Sequence, residues 1–492
     1  VRRPALLGLV AGILLTLALP PFGWWPLALL GAGLLATVLR RPLTWRRRLL
    51  VGLAVGVGFL APGLWWMTEF SLPGWTLAML LEAGMVALAV LLVPPGRWQV
   101  VGLPAALVLS DVARGHWPFG GVPIATVAET QVGGPLLEAG RLGGALLVTA
   151  LVGVAGVGIA AVVGRRWAQA LFAAALVVAV AGAGVVGPDG VHHGQLRAAV
   201  VQGGGPRGTR AIDTSEAKVF DAHVAGTGRV PAGVDLILWP EDVVDVEGDV
   251  LKTPEGDTLA AIAAMHGATL VAGVVEGQGT DFLNLARVWE PDGRIGGTYE
   301  KNHRVPFGEF IPFRSLVEKV ADLSAVPRDA HVGHGPGILD TQAGHLGVVI
   351  SFEVFFARRA RDAMAAGGQV LLVPTNASSY SSTQMPALEL GAARMRAIET
   401  GRDVLQAAPT GFSAVIDHRG VVHQRSNLGD REVLTATIER RTGDTLYTRL
   451  GDGPFVFLAL LALVVAWAFT IRASRRADPL RGLLRGRRRR RR

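Results

Sequence analysis

Leu236-Ile237-Leu238-Trp239-Pro240-Glu241 is an apolar run that stops at a proline and delivers a carboxylate. A continuous Leu/Ile run of this kind suits a strand in a sheet covered on both faces, where neither side meets water. The pattern recurs downstream and upstream. Leu196–Gln202, Thr269–Val275, Leu346–Ser351 and Val370–Pro374 read as further strands, with Glu255–His266, Ala357–Ala366 and Leu388–Thr400 as helices between them. The alternation predicts an α/β domain over residues 194–450, which also holds most of the acidic residues.

Outside that segment the chain changes character. Eight apolar stretches stand out: Leu6–Leu19, Trp24–Leu39, Leu49–Trp66, Trp75–Val93, Val100–Val112, Leu142–Val163, Ala168–Val186 and Phe455–Ile471. A helix crossing the hydrocarbon core needs roughly 20 apolar residues. The third, fourth, sixth, seventh and eighth stretches fit that need, while the first, second and fifth are short. A hairpin through Pro20 and Pro21 would pair the first two, with Phe22, Trp24 and Trp25 at the membrane interface. Val1-Arg2-Arg3 before an apolar run has the form of a secretory leader. No small-residue cleavage site follows, so an uncleaved anchor is the expectation.

Charge supplies a check on this count. The 492 residues are half hydrophobic and 18% charged, with a net charge of +9. The arginines cluster after every second apolar stretch: Arg2 and Arg3 at the start, then Arg40, Arg41 and Arg46–Arg48, then Arg97, then Arg165 and Arg166, and finally Arg472, Arg475, Arg476 and the run Arg487–Arg492. Arg114 is the exception. Arginine marks the cytoplasmic side, so eight spans with both ends inside fit, and the α/β domain falls outside. The expected layout is a seven-span transmembrane domain over 1–187, a catalytic domain over 194–450, an eighth helix over 455–471 and a cytoplasmic arginine-rich tail over 472–492. Nucleic acid is a poor partner for these arginines, because most border apolar runs and no stacking aromatics are interleaved with the run Arg487–Arg492. Cysteine is absent, which excludes disulfides, cysteine-bound zinc and thiol catalysis by the chain as it stands.

Three islands carry candidate chemistry. Glu241 sits at the carboxyl end of its strand, where open α/β sheets place ligands; alone, it could as well be a solvated loop carboxylate. Tyr299-Glu300-Lys301-Asn302-His303-Arg304-Val305-Pro306-Phe307-Gly308-Glu309-Phe310 sets a lysine before a stiff turn carrying another glutamate. Lys301 could stabilise a developing oxyanion and Glu309 could orient it or share the base role; the plainer reading is a surface turn with exposed ion pairs. Gly347-Val348-Val349-Ile350-Ser351-Phe352-Glu353 ends an apolar strand at a small nucleophile-type residue. By itself that serine reads best as a cap for the helix that follows.

Together the islands resemble the nitrilase, or carbon–nitrogen hydrolase, superfamily. The motifs W-P-E, Y-x-K-x-x-x-V-P-F-G-E-F-I-P and G-V-x-I-x-x-E look specifically like the apolipoprotein N-acyltransferase family, as does a frame of seven spans, a catalytic domain and one more span. Pro374-Thr375-Asn376-Ala377, residues 393–399 and residues 410–416 are similar as well. The resemblance implies an α-β-β-α sandwich with a Glu–Lys–Cys triad. Glu241 then matches the general base, Lys301 the oxyanion-stabilising lysine, Glu309 the second glutamate and Ser351 the nucleophile's position, with Phe352 and Glu353 the pair that follows it. It further implies a phospholipid acyl donor, a diacylglyceryl apolipoprotein acceptor, a bilayer location in a bacterial cell membrane, and no metal or other cofactor.

Ser351 departs from that pattern, since the family's nucleophile is cysteine. A thiol has a pKa near ~8.5 and an alcohol is far less acidic, so a carboxylate base is poorly matched to it. Either an engineered replacement or a natural variant with lost or altered activity would account for it. The first is favoured, because it changes one atom and also explains the lack of cysteine. Two other readings stay open: a membrane-anchored amidase, and a lipid- or lipoprotein-binding homologue without catalysis. Lesser signals are read as ordinary loops (Gly203–Gly205, His331 and His334) or as interfacial tryptophans (Trp65, Trp66, Trp75 and Trp117), some of which could line a lipid path.

Overall fold

The computed structural model describes residues 2–206, 214–319, 323 and 326–476. Each of the eight apolar stretches forms a helix. The first seven are α1 (Arg2–Ala18), α2 (Pro26–Leu39), α3 (Trp45–Gly63), α4 (Leu72–Leu92), α5 (Gln99–Arg114), α6 (Gly140–Val163) and α7 (Trp167–Val185). Eight full spans are more than length and apolarity alone support. Among the described residues four helices meet both requirements: α4, the stretch 135–163 that contains α6, α7, and the C-terminal helix over 453–474. At 17 and 14 residues, α1 and α2 are short. In α3, Arg46–Arg48 occupy the first turn, and α5 is only 16 residues long, with Asp111 inside its apolar run.

The helices pack through small residues, as apolar helices do when close backbone approach is their main source of attraction. A Cβ on Gly8 of α1 would lie 2.7 Å from the Val51 carbonyl oxygen of α3, and one on Gly56 of α3 would lie 2.6 Å from the Ala83 Cα of α4. Pro62 inside α3 has no N–H to offer the Gly58 carbonyl. The hydroxyl of Thr16 in α1 donates to that oxygen at 2.9 Å. Arg114, the misfit of the charge pattern, is 1% exposed and bound to Glu82. It therefore acts as a neutralised internal staple and is not a topology signal.

The strands are β1 (Val191–Gln202), β2 (Leu236–Leu238), β3 (Val244–Glu247), β4 (Thr269–Gln278), β5 (Asp281–Trp289), β6 (Ile295–Glu300), β7 (Asp329–Ala330), β8 (Ile338–Thr341), β9 (Gly344–Val348), β10 (Val370–Pro374), β11 (Val404–Ala407), β12 (Ala414–Ile416), β13 (Val422–Arg425) and β14 (Glu432–Thr442). Between and after them lie α8 (Glu216–Thr227), α9 (Pro254–His266), α10 (Arg314–Val317), α11 (Ala357–Ala365), α12 (Met385–Thr400) and α13 (Leu446–Leu450), and α14 (Gly453–Arg476) closes the described chain. One sheet runs β14-β1-β2-β4-β5-β6, with β3 and β7 at its margins, and the other runs β13-β12-β11-β10-β9-β8.

Side-chain alternation shows how the sheets stack. Leu236, Leu238, Val370 and Leu372 share one core between the two sheets. Ile237, one residue out of phase, packs outward with Val219, Phe220, Leu259 and Ile262 of α8 and α9. Leu371 and Val373 pack outward with Ala363 and Met364 of α11 and with Leu388, Ala392 and Met395 of α12. The result is four layers, α-β-β-α. The expected strand over 346–351 is shorter than its apolar run, because β9 ends at Val348 and Ser351 opens a 3₁₀ turn over Ser351–Phe355.

The α12 layer also faces the membrane helices, whose apolar residues belong to the same continuous core. Two polar clasps lie along this seam. Gln384 donates to the Pro62 carbonyl at 2.7 Å, at the end of α3. Non-helical angles at Gly143 and Gly144 break α6 near its start, and the Ala145 N–H donates to Glu399 of α12 at 2.7 Å.

Candidate active site

Glu241 leaves β2 through Trp239 and Pro240, and its side chain is buried. Trp239 fixes the strand end by donating from Nε1 to Thr227 at 2.9 Å. Gly273 of β4 lets the loop approach: a Cβ there would stand 2.9 Å from the Glu241 nitrogen. Lys301 follows β6, and its own N–H donates to the Asn284 carbonyl at 2.9 Å. Its Nζ donates to Glu241 Oε1 at 2.7 Å and to Glu309 Oε1 at 2.6 Å. Lys301 is only 1% exposed, so the surface-turn reading of this island fails. Burial alone would lower the Lys301 pKa; the two carboxylates outweigh it and hold the ammonium well above its ordinary value. Burial raises Glu309, more than Lys301 lowers it, and Glu241 adds repulsion.

Ser351 opens the turn that follows β9 and is buried. Its φ of 50° puts a non-glycine residue in the left-handed region, a conformation that costs energy and persists where surrounding structure enforces it. Val349 N–H still donates to the Leu372 carbonyl at 3.0 Å, so the backbone turns sharply within two residues of the sheet. The serine caps no helix: the turn has Ile350 as its N-terminal flank, without a side-chain cap from Ser351. Glu353 does the holding. One of its oxygens accepts from Ile350 N at 2.9 Å, and the other from Asn302 N at 2.8 Å and His303 N at 3.1 Å. A single buried carboxylate thus ties the residue before Ser351 to the residue after Lys301. Tyr299 adds its hydroxyl to Glu353 at 2.8 Å and accepts from Arg359 at 2.7 Å. Phe352 is buried against Phe356, ring centroids 5.1 Å apart, as part of the core under the turn.

Residues 11–158 match the family described as "Apolipoprotein N-acyltransferase N-terminal domain", and residues 197–446, more than half of the chain, match "Carbon-nitrogen hydrolase". The chain belongs to the apolipoprotein N-acyltransferase family of carbon–nitrogen hydrolases. A relative of that name from Photobacterium profundum is 27% identical over 96% of both chains. Another from Mycolicibacterium smegmatis is 29% identical over 92% of this chain and 83% of its own. A solved carbon–nitrogen hydrolase superfamily protein from Xanthomonas campestris is 19% identical with a TM-score of 0.38, covering 54% of this chain and 97% of that one.

Four residues of this acyltransferase-family site escape a reading from motifs. Asn284 on β5 donates to Glu241 at 2.9 Å and to Glu309 at 3.2 Å, joining the two carboxylates that flank Lys301. An asparagine between Leu283 and Leu285 in a strand was the available signal. Asp242, with φ of 57°, is raised well above its ordinary value by burial and then by Glu241 beside it. Glu389 of α12 accepts from Thr375 at 2.8 Å. Burial raises it to about 8, with Glu241 adding repulsion. Tyr380 packs edge-on to Trp66 at 5.3 Å and tilted to Phe70 at 5.2 Å. Its hydroxyl is raised by burial and then by Glu309 and Glu241. Trp66 is accordingly 2% exposed and belongs to this contact, whereas Trp65 and Trp117 are exposed as interfacial tryptophans are. The Gly203–Gly205 loop cradles nothing: its three N–H groups donate to His223, Pro409 and Gly429.

Proposed function

We propose that the site of this chain is built for lipoprotein N-acylation through an acyl-enzyme at residue 351, and that serine at this position leaves the activity low. The observation that carries this reading is the buried Glu241–Lys301–Glu309 cluster, tied through Glu353 to the strained turn of Ser351. The nucleophile attacks the acyl ester of a phospholipid, Glu241 takes its proton, and Lys301 faces the charge that develops on the carbonyl oxygen. The proton passes to the departing alkoxide, and lysophospholipid leaves. The α-amino group of an S-diacylglyceryl-cysteine then attacks the acyl-enzyme. Glu241 takes the amine's proton, the amide forms, and the nucleophile recovers its hydrogen. The aromatic contact from Tyr380 to Trp66 and Phe70 supports lipid reaching the site from the membrane half.

We read Ser351 as a replacement for cysteine that leaves the turn intact. Serine and cysteine fill nearly the same space, so Ser351→Cys should fold alike. The test is transfer of a labelled acyl chain from phospholipid to a diacylglyceryl lipopeptide. Ser351→Cys should be fastest, with the serine form and the cysteine form bearing Glu241→Gln near background. Equal rates for serine and cysteine would mean that residue 351 is a competent alkoxide nucleophile or none at all. Release of free acid without transfer to the lipopeptide would favour an amidase-like hydrolase.

The reading also places the α/β domain on the extracytoplasmic face of a bacterial cell membrane. Single cysteines in this thiol-free chain test it: a site in β13 should label from outside intact cells, and one beside Arg97 should not.

A further inference from the structure

At the pole of the membrane half away from the α/β domain lies a cleft that acyl transfer does not use. Its polar lining is Arg40 after α2, Arg97 between α4 and α5, Gln99 at the start of α5, Arg166 before α7, and Gln169 inside α7. From here α7 runs 19 residues toward the catalytic domain, about 28 Å of helix, so the cleft and the active site are separate places. Among the described residues no acidic side chain lines it. Arg40 donates to the Ala160 carbonyl at the end of α6, and burial and then Arg166 lower its pKa. Arg40 and Arg166 thus sit close enough to repel, and Arg97, its guanidinium over the Trp98 ring at 5.3 Å, lines the same cleft without a counter-charge in that lining.

Two amides beside them are incomplete among the described residues. Gln99 is 3% exposed, and its Nε2 donates to the Ala36 carbonyl at 2.6 Å, while its Oε1 is buried without a partner. Nε2 of Gln169 is likewise buried without an acceptor. Unmatched buried amides of this sort are costly unless something completes them. The depth is that of lipid head groups. Arg97 is followed by Trp98, stacked on Phe469 of α14 at 4.7 Å, and Arg166 by the exposed Trp167, the placement typical of interfacial tryptophans.

We propose that this cleft binds the phosphodiester of a phospholipid head group from the leaflet opposite the α/β domain. The arginines and Gln169 Nε2 supply donors to the phosphate, and Gln99 Oε1 accepts from an N–H or O–H on the head group. Basic pockets between membrane helices are suited to such head groups. Gln99 makes the site selective: ethanolamine and glycerol head groups carry a donor, and choline does not.

The test uses the purified, delipidated full chain in detergent, with dialkyl-ether phosphatidylethanolamine, phosphatidylglycerol or phosphatidylcholine, none of which has an acyl ester to transfer. Lipid adducts are counted by native mass spectrometry for the wild type, for R40Q/R97Q/R166Q, and for R46Q/R47Q as a control that removes arginine charge outside the cleft. Uptake at the catalytic domain is common to all three. At limiting lipid, ethanolamine and glycerol adducts should fall about tenfold or more in the cleft variant and little in the control, as loss of several arginine contacts requires. Millimolar inorganic phosphate should not displace them. Equal losses in the two variants, or none, would overturn the proposal, and displacement by phosphate alone would reduce the site to an ion site. Gln99→Leu guards against misfolding of the triple variant: it keeps every arginine and should erase the preference over choline lipid. A preference that survives it overturns the head-group assignment.

Discussion

Each half of the molecule buries a cluster of charge, and the two are built differently. In the membrane half, Arg114 is bound to Glu82 and spends its other nitrogens on backbone, donating to the Ala125 carbonyl at 3.1 Å and the Ile124 carbonyl at 2.6 Å. Asp111 beside it accepts from Thr149 at 2.8 Å and from Val127 N at 3.3 Å. Almost every bond there fixes the path of the chain between α5 and α6. In the α/β half, Lys301 Nζ holds only side-chain carboxylates, Glu241 and Glu309. One cation faces two anions there, beside a turn with left-handed backbone at Ser351 and next to another at Asp242. A planar guanidinium with five fixed donors suits a structural staple, whereas a compact ammonium leaves room for a reacting group. Buried charge alone does not mark a site of chemistry; what the charge is bonded to does.

The largest effect should come from breaking the staple. Arg114→Met would strand Glu82 and Asp111 in the membrane half and should cost about 3–5 kcal/mol, the usual penalty for removing one partner of a buried pair. Thermal unfolding in detergent measures it. If the cluster is structural, Arg114→Lys should also lower the melting temperature while the specific activity of the folded fraction, in the Ser351→Cys background, stays near its parent. A loss of specific activity without a loss of stability would place Arg114 in the chemistry and collapse the contrast.

The lysine should behave in the opposite way. Lys301→Arg keeps the positive charge between Glu241 and Glu309, so the fold should survive, yet the larger planar group misplaces the donor. In the Ser351→Cys background acyl transfer should fall about 10²–10³-fold, the scale of losing one oxyanion donor. Far-UV circular dichroism and the melting temperature should stay close to the parent. Transfer within a factor of about three of the parent would remove Lys301 from the proposed role, since displaced oxyanion donors cost far more than that.

A third contrast concerns protonation. Burial raises Glu389 to about 8 in the folded chain, against about 4.3 for a free glutamate. Between those values the folded state holds a proton that the unfolded state has released, so stability declines as pH rises through that window and levels off above about 8. The slope is at most about 1.4 kcal/mol per pH unit for one group. Glu389→Gln keeps an oxygen for the Thr375 hydroxyl and has no proton to lose. Its melting temperature relative to the wild type should climb from pH 5 to pH 8. Parallel curves for the two proteins would show that Glu389 titrates alike in both states.

How far these features could be read in advance follows from their range. The strands and helices of the α/β domain are local patterns: Val370–Pro374 is observed as expected, and Glu255–His266 lengthens by one residue. Glu241, Lys301 and Glu309 were legible because each sits in a motif whose turn chemistry is local. Asn284, Glu389 and Tyr380 come from a strand, a helix and a loop that meet only after folding, and nothing nearby in the sequence names their partners. The apolar stretches form eight helices, but hydropathy overstates α3, because the helix ends at Gly63 and the apolar run to Trp66 passes into a separate 3₁₀ turn over Trp65–Glu69. Ser351 does not cap a helix, contrary to the plainest expectation for a serine at a strand end. Its φ is set by packing around Glu353, which no window of sequence shows.

The smallest effect tests whether the membrane half also relies on neutral staples. Pro62 leaves the Gly58 carbonyl without its helical partner, and the Thr16 hydroxyl occupies that oxygen at 2.9 Å, with the Phe59 carbonyl at the same distance. Thr16→Val should therefore cost about 0.6 kcal/mol, the average for a side-chain hydrogen bond between membrane helices. The sharper measurement is a double-mutant cycle. Pro62→Ala restores an N–H at position 62, so the Gly58 carbonyl can return to its own helix and Thr16 becomes dispensable. Thr16→Val should then be close to neutral in the Pro62→Ala background, giving a coupling of about 0.5 kcal/mol or more for residues that share one acceptor. The cost could also come from the change of side-chain shape in the tight α1–α3 contact, where Gly8 already lies against Val51. In that case Thr16→Val would be equally costly in both backgrounds, and the seam between α1 and α3 would owe its stability to packing alone.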